Sequence, residues 1–223
     1  MADEKVPCTK CGKPISAESA GKRNGMCLLC SIEHEEKVPC VECGKPVSVK
    51  QAGKRNGLCL RCSAKRNPFF VLYSSLIDRV CHSPGGFNGL SDPEKVYYAL
   101  TLFQNEINNG GFHQFFFNSS GAYYDLIENG LVTFDEPQTL ELLSQAKAIV
   151  FPAIPVPVDT EQRRNLLPVA DPSAPTPAWM TKLNELDQKF YRSPNVLTAK
   201  LSAFAREQGL VPAETTTSSP DAS

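Results

Sequence analysis

Eight cysteines arranged in two near-copies constrain this chain more than any other feature. Residues 6–30 read VPCTKCGKPISAESAGKRNGMCLLC, and residues 38–62 read VPCVECGKPVSVKQAGKRNGLCLRC. At an offset of 32 the copies agree at 17 of 25 positions, all four cysteines included. Each is C-x2-C-x15-C-x2-C: Cys8, Cys11, Cys27 and Cys30, then Cys40, Cys43, Cys59 and Cys62. A fixed repeat of this kind marks modules. Two sulfurs two residues apart reach one tetrahedral ion, and two such hooks make the four-thiolate cage expected of a structural zinc site. Gly12 and Gly44 follow the first hooks, where positive φ lets backbone N–H groups face the sulfurs. A unit of 25 residues buries too little apolar surface to fold alone, so the metal supplies most of its folding free energy.

Disulfides need an oxidising compartment, whereas the opening MADEK carries no apolar targeting run, so a reducing, cytoplasmic setting is expected. Redox use of C-x-x-C would call for a surrounding α/β pattern, which is absent. Iron takes the same four ligands, and spacing does not separate it from zinc. Two structural Zn2+ ions are the expectation. Four cysteines leave no coordination position open, so neither ion would be catalytic. Each repeat resembles a small zinc ribbon or zinc knuckle, a class that binds nucleic acid or protein. The modules are placed at residues 1–33 and 34–66, with His34 in the polar link between them as a solvated surface residue.

Charge bears on the partner. Residues 1–66 hold 13 Lys+Arg against 7 Asp+Glu, a net +6, and residues 67–223 hold 10 against 17, a net −7. Two tetrathiolate zinc centres would bring the first figure down to about +2, so no strong polyanion binding follows. The repeated GKRNG loops present Lys22, Arg23, Lys54 and Arg55 as candidate phosphate contacts. The competing expectation is a plain hairpin turn at Asn-Gly, favoured because neither repeat carries an aromatic for base stacking. AIVFPAIPVPV at 148–158 is too short and too Pro-rich to span a bilayer, so no membrane is expected as a partner.

From residue 67 to 208 the pattern predicts an all-α bundle of about six helices. Residues 69–81 place Phe69, Leu72, Leu76 and Val80 near the 3.6 period, and the ninth cysteine, Cys81, is expected as a buried thiol. Ser91 and Glu94 form a capping box opening a helix to about Asn108 that buries Val96, Leu100, Phe103 and Ile107. Further helices are predicted at 137–151 (Leu140, Leu143, Ala146, Val150), 178–192 (Leu183, Leu186, Phe190) and 195–208 (Leu197, Leu201, Phe204). Seven prolines in residues 152–177 predict an extended connection. Residues 209–223 are expected as a disordered tail.

The least generic stretch is EINNGGFHQFFFNSSG, residues 106–121. Asn109, Gly110 and Gly111 force a reversal, after which Phe112, Phe115 and Phe116 recur at helical spacing. One reading makes the phenylalanines core and the amides helix caps. The other makes Asn109, Gly110, Gly111, Phe112, His113, Gln114 and Asn118 a partner-binding site. The run NGGFHQFFFNSSG, with the helix before it and LDQKFY at 186–191, resembles the bacterial DNA-mimic protein C-terminal domain family. The resemblance covers about residues 68–208. It implies an all-helical, non-enzymatic domain, in one member of which an acidic face imitates duplex phosphates and captures a transcription factor. Mimicry requires gathered carboxylates, and here no acidic run exceeds Asp135-Glu136.

Catalysis finds little support. Glu106 and His113 straddle the Gly-Gly break, and Cys81 and His82 are sequence neighbours whose side chains point apart. There is no phosphate-binding glycine motif. The expectation is a non-enzymatic zinc-binding adaptor whose helical domain binds a protein and whose ribbons bind nucleic acid or protein. The alternative is a DNA-mimic regulator that sequesters a transcription factor.

Overall fold

The structure, a computed structural model, describes residues 5–33, 35–169, 173, 175–193 and 196–212. His34 and residues 213–223 of the expected tail lie outside the described residues. The chain divides between Asn67 and Pro68 into two compact units.

The first unit contains two copies of one ββαα design. β1 (Lys5–Pro7) pairs antiparallel with β2 (Pro14–Ser16), Val6 opposite Ile15, and α1 (Ala17–Lys22) and α2 (Leu28–Glu33) follow. β3 (Lys37–Pro39), β4 (Pro46–Ser48), α3 (Val49–Lys54) and α4 (Leu60–Arg66) repeat it, Val38 opposite Val47. Gly12 (φ 72) and Gly44 (φ 70) take the left-handed conformation expected after each first hook. Ser16 and Ser48 start the short helices by accepting the N–H of Ser19 at 3.2 Å and of Gln51 at 3.3 Å.

The Asn-Gly pairs do not make hairpins. Asn24 (φ 51) with Gly25 (φ 76), and Asn56 (φ 50) with Gly57 (φ 80), end α1 and α3 as left-handed C-caps. Gly25 O and Gly57 O then accept the N–H of Thr9 at 2.9 Å and of Val41 at 3.1 Å, tying each loop to the first hook. A Cβ at Gly25 or Gly57 would sit 2.7 Å from the Thr9 or Val41 side chain, so the close approach requires glycine. The loop is repeated because the second hook must be brought to the first.

The second unit is built around α6 (Asp92–Phe117). α5 (Pro68–His82), α7 (Tyr124–Thr133), α9 (Thr160–Leu166), α10 (Ala178–Arg192) and α11 (Val196–Glu207) pack on it, and α8 (Pro137–Val150) packs on α7 and α10. The capping box forms: the Ser91 N–H donates to Glu94 Oε2 at 2.8 Å. Glu94 also pairs with Arg79, joining α5 to α6. Every predicted inward residue lies in the core or packs against it, with Leu76, Leu100, Phe103, Ile107, Leu143 and Ala146 at 0 % exposure. Each fully buried Leu, Ile or Phe among them contributes on the order of 1.5–3 kcal/mol.

Three expectations are corrected by this packing. The proline-rich segment is not extended throughout, because Asp159 accepts the Gln162 N–H at 2.7 Å and starts α9. Cys81 is exposed, since it falls on the outer side of α5, one residue past the inward Val80. Leu210 and Val211 do not belong to the tail. Gly209 (φ 66) turns the chain back, the N–H groups of both reach Ala205 O at 2.8 and 3.3 Å, and Val211 is buried.

Candidate functional site

In each N-terminal module all four sulfurs lie within 4.8 Å of one another. Cys11 Sγ to Cys27 Sγ, and Cys43 Sγ to Cys59 Sγ, measure 3.7 Å. The edge of a sulfur tetrahedron around an ion 2.3 Å from each corner is about 3.8 Å, so the spacing fits a four-coordinate metal. The Cys27 N–H donates to Cys8 Sγ at 3.1 Å and the Cys59 N–H to Cys40 Sγ at 3.2 Å. Such donors favour thiolate. Backbone N–H groups, chiefly that of Cys11, pull Cys8 down to about 6, and those of Cys59 and Cys43 do the same for Cys40. Within the same cluster Cys30 is pushed up to about 12, first because its thiol proton is shared with Cys27. Burial, then the neighbouring sulfurs, drives Cys62 upward likewise. A divalent ion favours the thiolate form of all four sulfurs, and each set of four cysteines fits one such ion.

The modules are not interchangeable on their outer faces. α2 exposes Leu28, Leu29 and Ile32, whereas the matching positions of α4 are Leu60, Arg61 and Ala64. Of the four GKRNG cations, Lys22 pairs with Glu18 at 2.5 Å. Lys54 is exposed, Arg23 and Arg55 are half-buried, and Arg55 Nη1 is shut off from water with no hydrogen-bond partner.

In the helical domain the Gly-Gly break is real, though helical pairing resumes directly beyond it. Gly110 (φ −156, ψ 19) and Gly111 (φ 75, ψ −174) interrupt α6. Gly111 sits in a region of backbone space that is essentially glycine-only. The break leaves orphan groups on both sides, and α10 serves them. Asp187 Oδ1 accepts the Phe112 N–H at 2.8 Å, while the Tyr191 hydroxyl donates to Ile107 O at 2.8 Å. This accounts for LDQKFY: its Asp and Tyr, one helical turn apart, bracket the break. On the other side Glu106 accepts Gln114 Nε2 at 2.7 Å, Asn118 Nδ2 at 2.9 Å and Ser120 Oγ at 3.2 Å. The side chains of Gln114 and Asn118 therefore bind Glu106 across the kink, while Asn118 stands as the C-cap of α6 through its backbone N–H.

The far end of α6 is closed by two adjacent arginines of α9. Arg163, at 0 % exposure, donates to Phe116 O (2.7 Å), Asn118 O (2.5 Å), Pro157 O (2.8 Å) and Val158 O (3.1 Å). Arg164 donates to Phe117 O at 2.9 Å and lies 4.5 Å from the Phe117 ring. The carbonyls of Phe116, Phe117 and Asn118 are orphans of the α6 C-terminus, where a cation is favoured, and those of Pro157 and Val158 belong to the loop before α9. Burial pulls Arg163 below its ordinary value. Sequence reasoning missed this residue, although Asp159 three positions before Gln162 is a helix-start signal.

The residues singled out at 109–118 divide. Phe112, Phe115 and Phe116 are wholly buried, and Gly111 is buried beside Asp187. Asn109 and Gly110 are exposed. His113 is half-buried and stacks on Phe117 (6.2 Å, 18°) and on Trp179 (5.7 Å, 27°). Trp179, His113, Phe117 and Arg164 thus form a partly exposed ladder. Glu106 and His113 do not form a catalytic pair, since Glu106 is taken up by amides and His113 by aromatic rings. His82 pairs with Asp78 at 3.0 Å and turns away from chemistry with Cys81.

Fold and site together define a protein with two four-cysteine modules able to hold metal, joined to an all-helical domain organised by one broken helix. Residues 88–208 match the family model described as DMP19-like protein, more than half of the chain, and the chain belongs to that family. No curated protein and no solved structure matches it. The match begins after α5, so α5 and the modules lie outside it. Among the described residues no helix is long and apolar enough to cross a membrane.

Proposed function

We propose that this chain is a non-enzymatic adaptor. Two structural Zn2+ ions hold its N-terminal modules, and its helical domain binds a protein partner. The observation that carries the reading is the closure of each metal set: four sulfurs within 4.8 Å fill a tetrahedral ion and leave no position for substrate. The exposed Leu28, Leu29 and Ile32 favour a protein surface for the first module. The candidate phosphate contacts Lys54 and Arg55 belong to the second module, whose α4 also carries Arg61 and Lys65. His113, with Trp179, Phe117 and Arg164, has the aromatic-plus-arginine make-up of a protein hot spot.

Capture of a DNA-binding protein by charge mimicry is the second reading, favoured by family membership and by the net acidity of residues 67–223. Against it stands the use the fold makes of its carboxylates. Glu94, Asp92 and Glu136 are paired with Arg79, Lys95 and Lys200, Glu106 and Asp187 hold the broken helix, and Asp159 caps α9. Metal analysis of the purified chain and a salt-series titration with duplex and single-stranded oligonucleotides test the proposal. Two zinc per chain supports it; iron, or no metal, sinks the zinc half. Affinity that falls steeply with salt assigns nucleic acid to the modules. A helical domain that competes with duplex DNA for a DNA-binding protein would favour mimicry instead.

A further inference from the structure

The adaptor reading leaves open which module meets which kind of partner. We infer that the second module grips the phosphate backbone of a nucleic-acid duplex through Lys50, Lys54, Arg61 and Lys65, without reading its sequence; this rests on the adaptor reading. Taken together the two modules are only mildly basic, but the charge is divided unequally. Residues 1–33 hold 5 Lys+Arg against 4 Asp+Glu, and residues 34–66 hold 8 against 3. With each tetrathiolate zinc centre adding −2, the first module stands at about −1 and the second at about +3.

The repeat supplies its own control. At the offset of 32, Lys50, Arg61 and Lys65 stand where the first copy has Glu18, Leu29 and Glu33, while Lys54 matches Lys22. In the first module Glu18 and Lys22 attract each other one turn apart on α1. The second module puts Lys50 and Lys54 at those places on α3, and Arg61 and Lys65 are likewise four residues apart on α4. Like charges at this spacing repel and weaken a short helix, so folding alone does not ask for them. All four are exposed. Ala52, midway between Lys50 and Lys54, is buried, which puts these two on the outer side of α3. Among the described residues the ion pair of this module is Arg66 with Glu42, and it leaves the four cations without a carboxylate.

A polyanion is the complement of such pairs. Four helical residues rise about 6 Å, and a duplex carries a charge about every 1.7 Å of its axis, so each cation of a pair meets a phosphate of its own. A single strand would call for aromatic rings on which bases stack, and neither repeat has one. A protein surface would call for an apolar centre, and the exposed Leu29 and Ile32 of the first module give way here to Arg61 and Ala64. A membrane would call for an apolar stripe beside the cations, yet α3 and α4 each expose a single large apolar residue, Val49 and Leu60.

The test is fluorescence anisotropy of a labelled duplex of about 20 base pairs, as DNA and as RNA, titrated with the zinc-loaded full-length chain across a salt series. Zinc is counted on the same sample. Four phosphate contacts predict a slope of log Kobs on log salt of about −3.6, or about a 100-fold loss of affinity between about 50 and 200 mM. The triple variant Lys50→Glu/Arg61→Leu/Lys65→Glu carries the residues of the first module. It should keep its zinc, bind at least about tenfold more weakly and flatten the slope to about −1. The reciprocal variant Glu18→Lys/Leu29→Arg should bind the duplex about tenfold more tightly, a gain that misfolding does not produce. Either duplex behaving so supports the inference, and the tighter of the two names the source. No duplex binding at about 100 µM chain and about 50 mM salt overturns it, as does equal binding by the triple variant. Tighter binding of a single strand, of poly-glutamate or of phosphatidylserine vesicles overturns it too. With zinc still bound, any of these failures leaves the adaptor reading standing; a chain that holds no zinc overturns both.

Discussion

Asp187 and Phe112 are 75 positions apart in sequence, yet the carboxylate of one accepts the backbone N–H of the other at 2.8 Å. The bond caps the half of α6 that begins beyond the break, so a residue of α10 serves as the N-cap that the local sequence Gly-Gly does not supply. Replacing Asp187 with Ala removes that cap and is expected to cost on the order of 1–2 kcal/mol. Asn, which keeps the acceptor, should cost much less. Urea denaturation of both variants checks the order.

The same residue has a pH signature. Burial raises the Asp187 carboxyl above its ordinary range, against the opposing pull of the Phe112 N–H. The folded state therefore binds this proton more tightly than the unfolded chain. Its contribution to stability is fully present below the unfolded aspartate value and is lost as pH rises through the folded one. Asp187→Asn should flatten that part of the stability–pH curve, from the ordinary aspartate range upward. A curve of unchanged slope would show that Asp187 titrates normally.

The two glycines of the break should respond differently. Gly111 has φ 75 and ψ −174, and a Cβ there would lie 2.2 Å from Asp187 Oδ2. Gly111→Ala combines backbone strain with loss of the cap, an expected destabilisation of about 2–4 kcal/mol. At Gly110 the intruded atom is Gln114 Oε1, at the movable end of a side chain, and φ is negative. Gly110→Ala should cost about 1 kcal/mol, chiefly through the displaced Gln114–Glu106 hydrogen bond. Melting temperatures of the two variants, side by side, decide it.

Arg163 needs its shape as well as its charge. It meets four backbone carbonyls across a planar fork, with no carboxylate among its hydrogen-bond partners in the described residues. Lys carries the charge but not the fork, so Arg163→Lys should lose about 2–4 kcal/mol, close to what Arg163→Met loses. If Lys restores most of the stability, charge at the helix end, not geometry, is what α9 contributes.

Metal removal should act on one unit alone. Trp179, the only tryptophan, lies in the helical domain, so its fluorescence reports on that unit. A chelator should release two zinc per chain and leave the Trp179 emission unchanged. Cys8→Ser should reduce the bound zinc from two to one. A shift in Trp179 emission on chelation would show that the helical domain depends on the metal.

The helices were legible because their apolar residues recur at 3.6 and because Ser91 and Glu94 announce a start. The ligand cysteines were legible because metal geometry dictates spacing. Three features were hidden for physical reasons. The Asn-Gly loops looked like hairpins because a left-handed Asn-Gly suits a helix C-cap equally well. Leu210 and Val211 looked like tail because two apolar residues after Gly209 carry no periodicity. The partners of the Gly-Gly break could not be read at all, since Ile107 and Phe112 find theirs at Tyr191 and Asp187, some eighty residues away.

A last consequence follows from α10. Its 15 residues make a rod about 22 Å long. Trp179, near its first turn, stacks on His113, and Asp187 and Tyr191, further along, hold the two lips of the break in α6. One rod thus acts as a splint across a fracture, with its free end set in the aromatic ladder. A load applied at Trp179 bears directly on the joint that the splint immobilises.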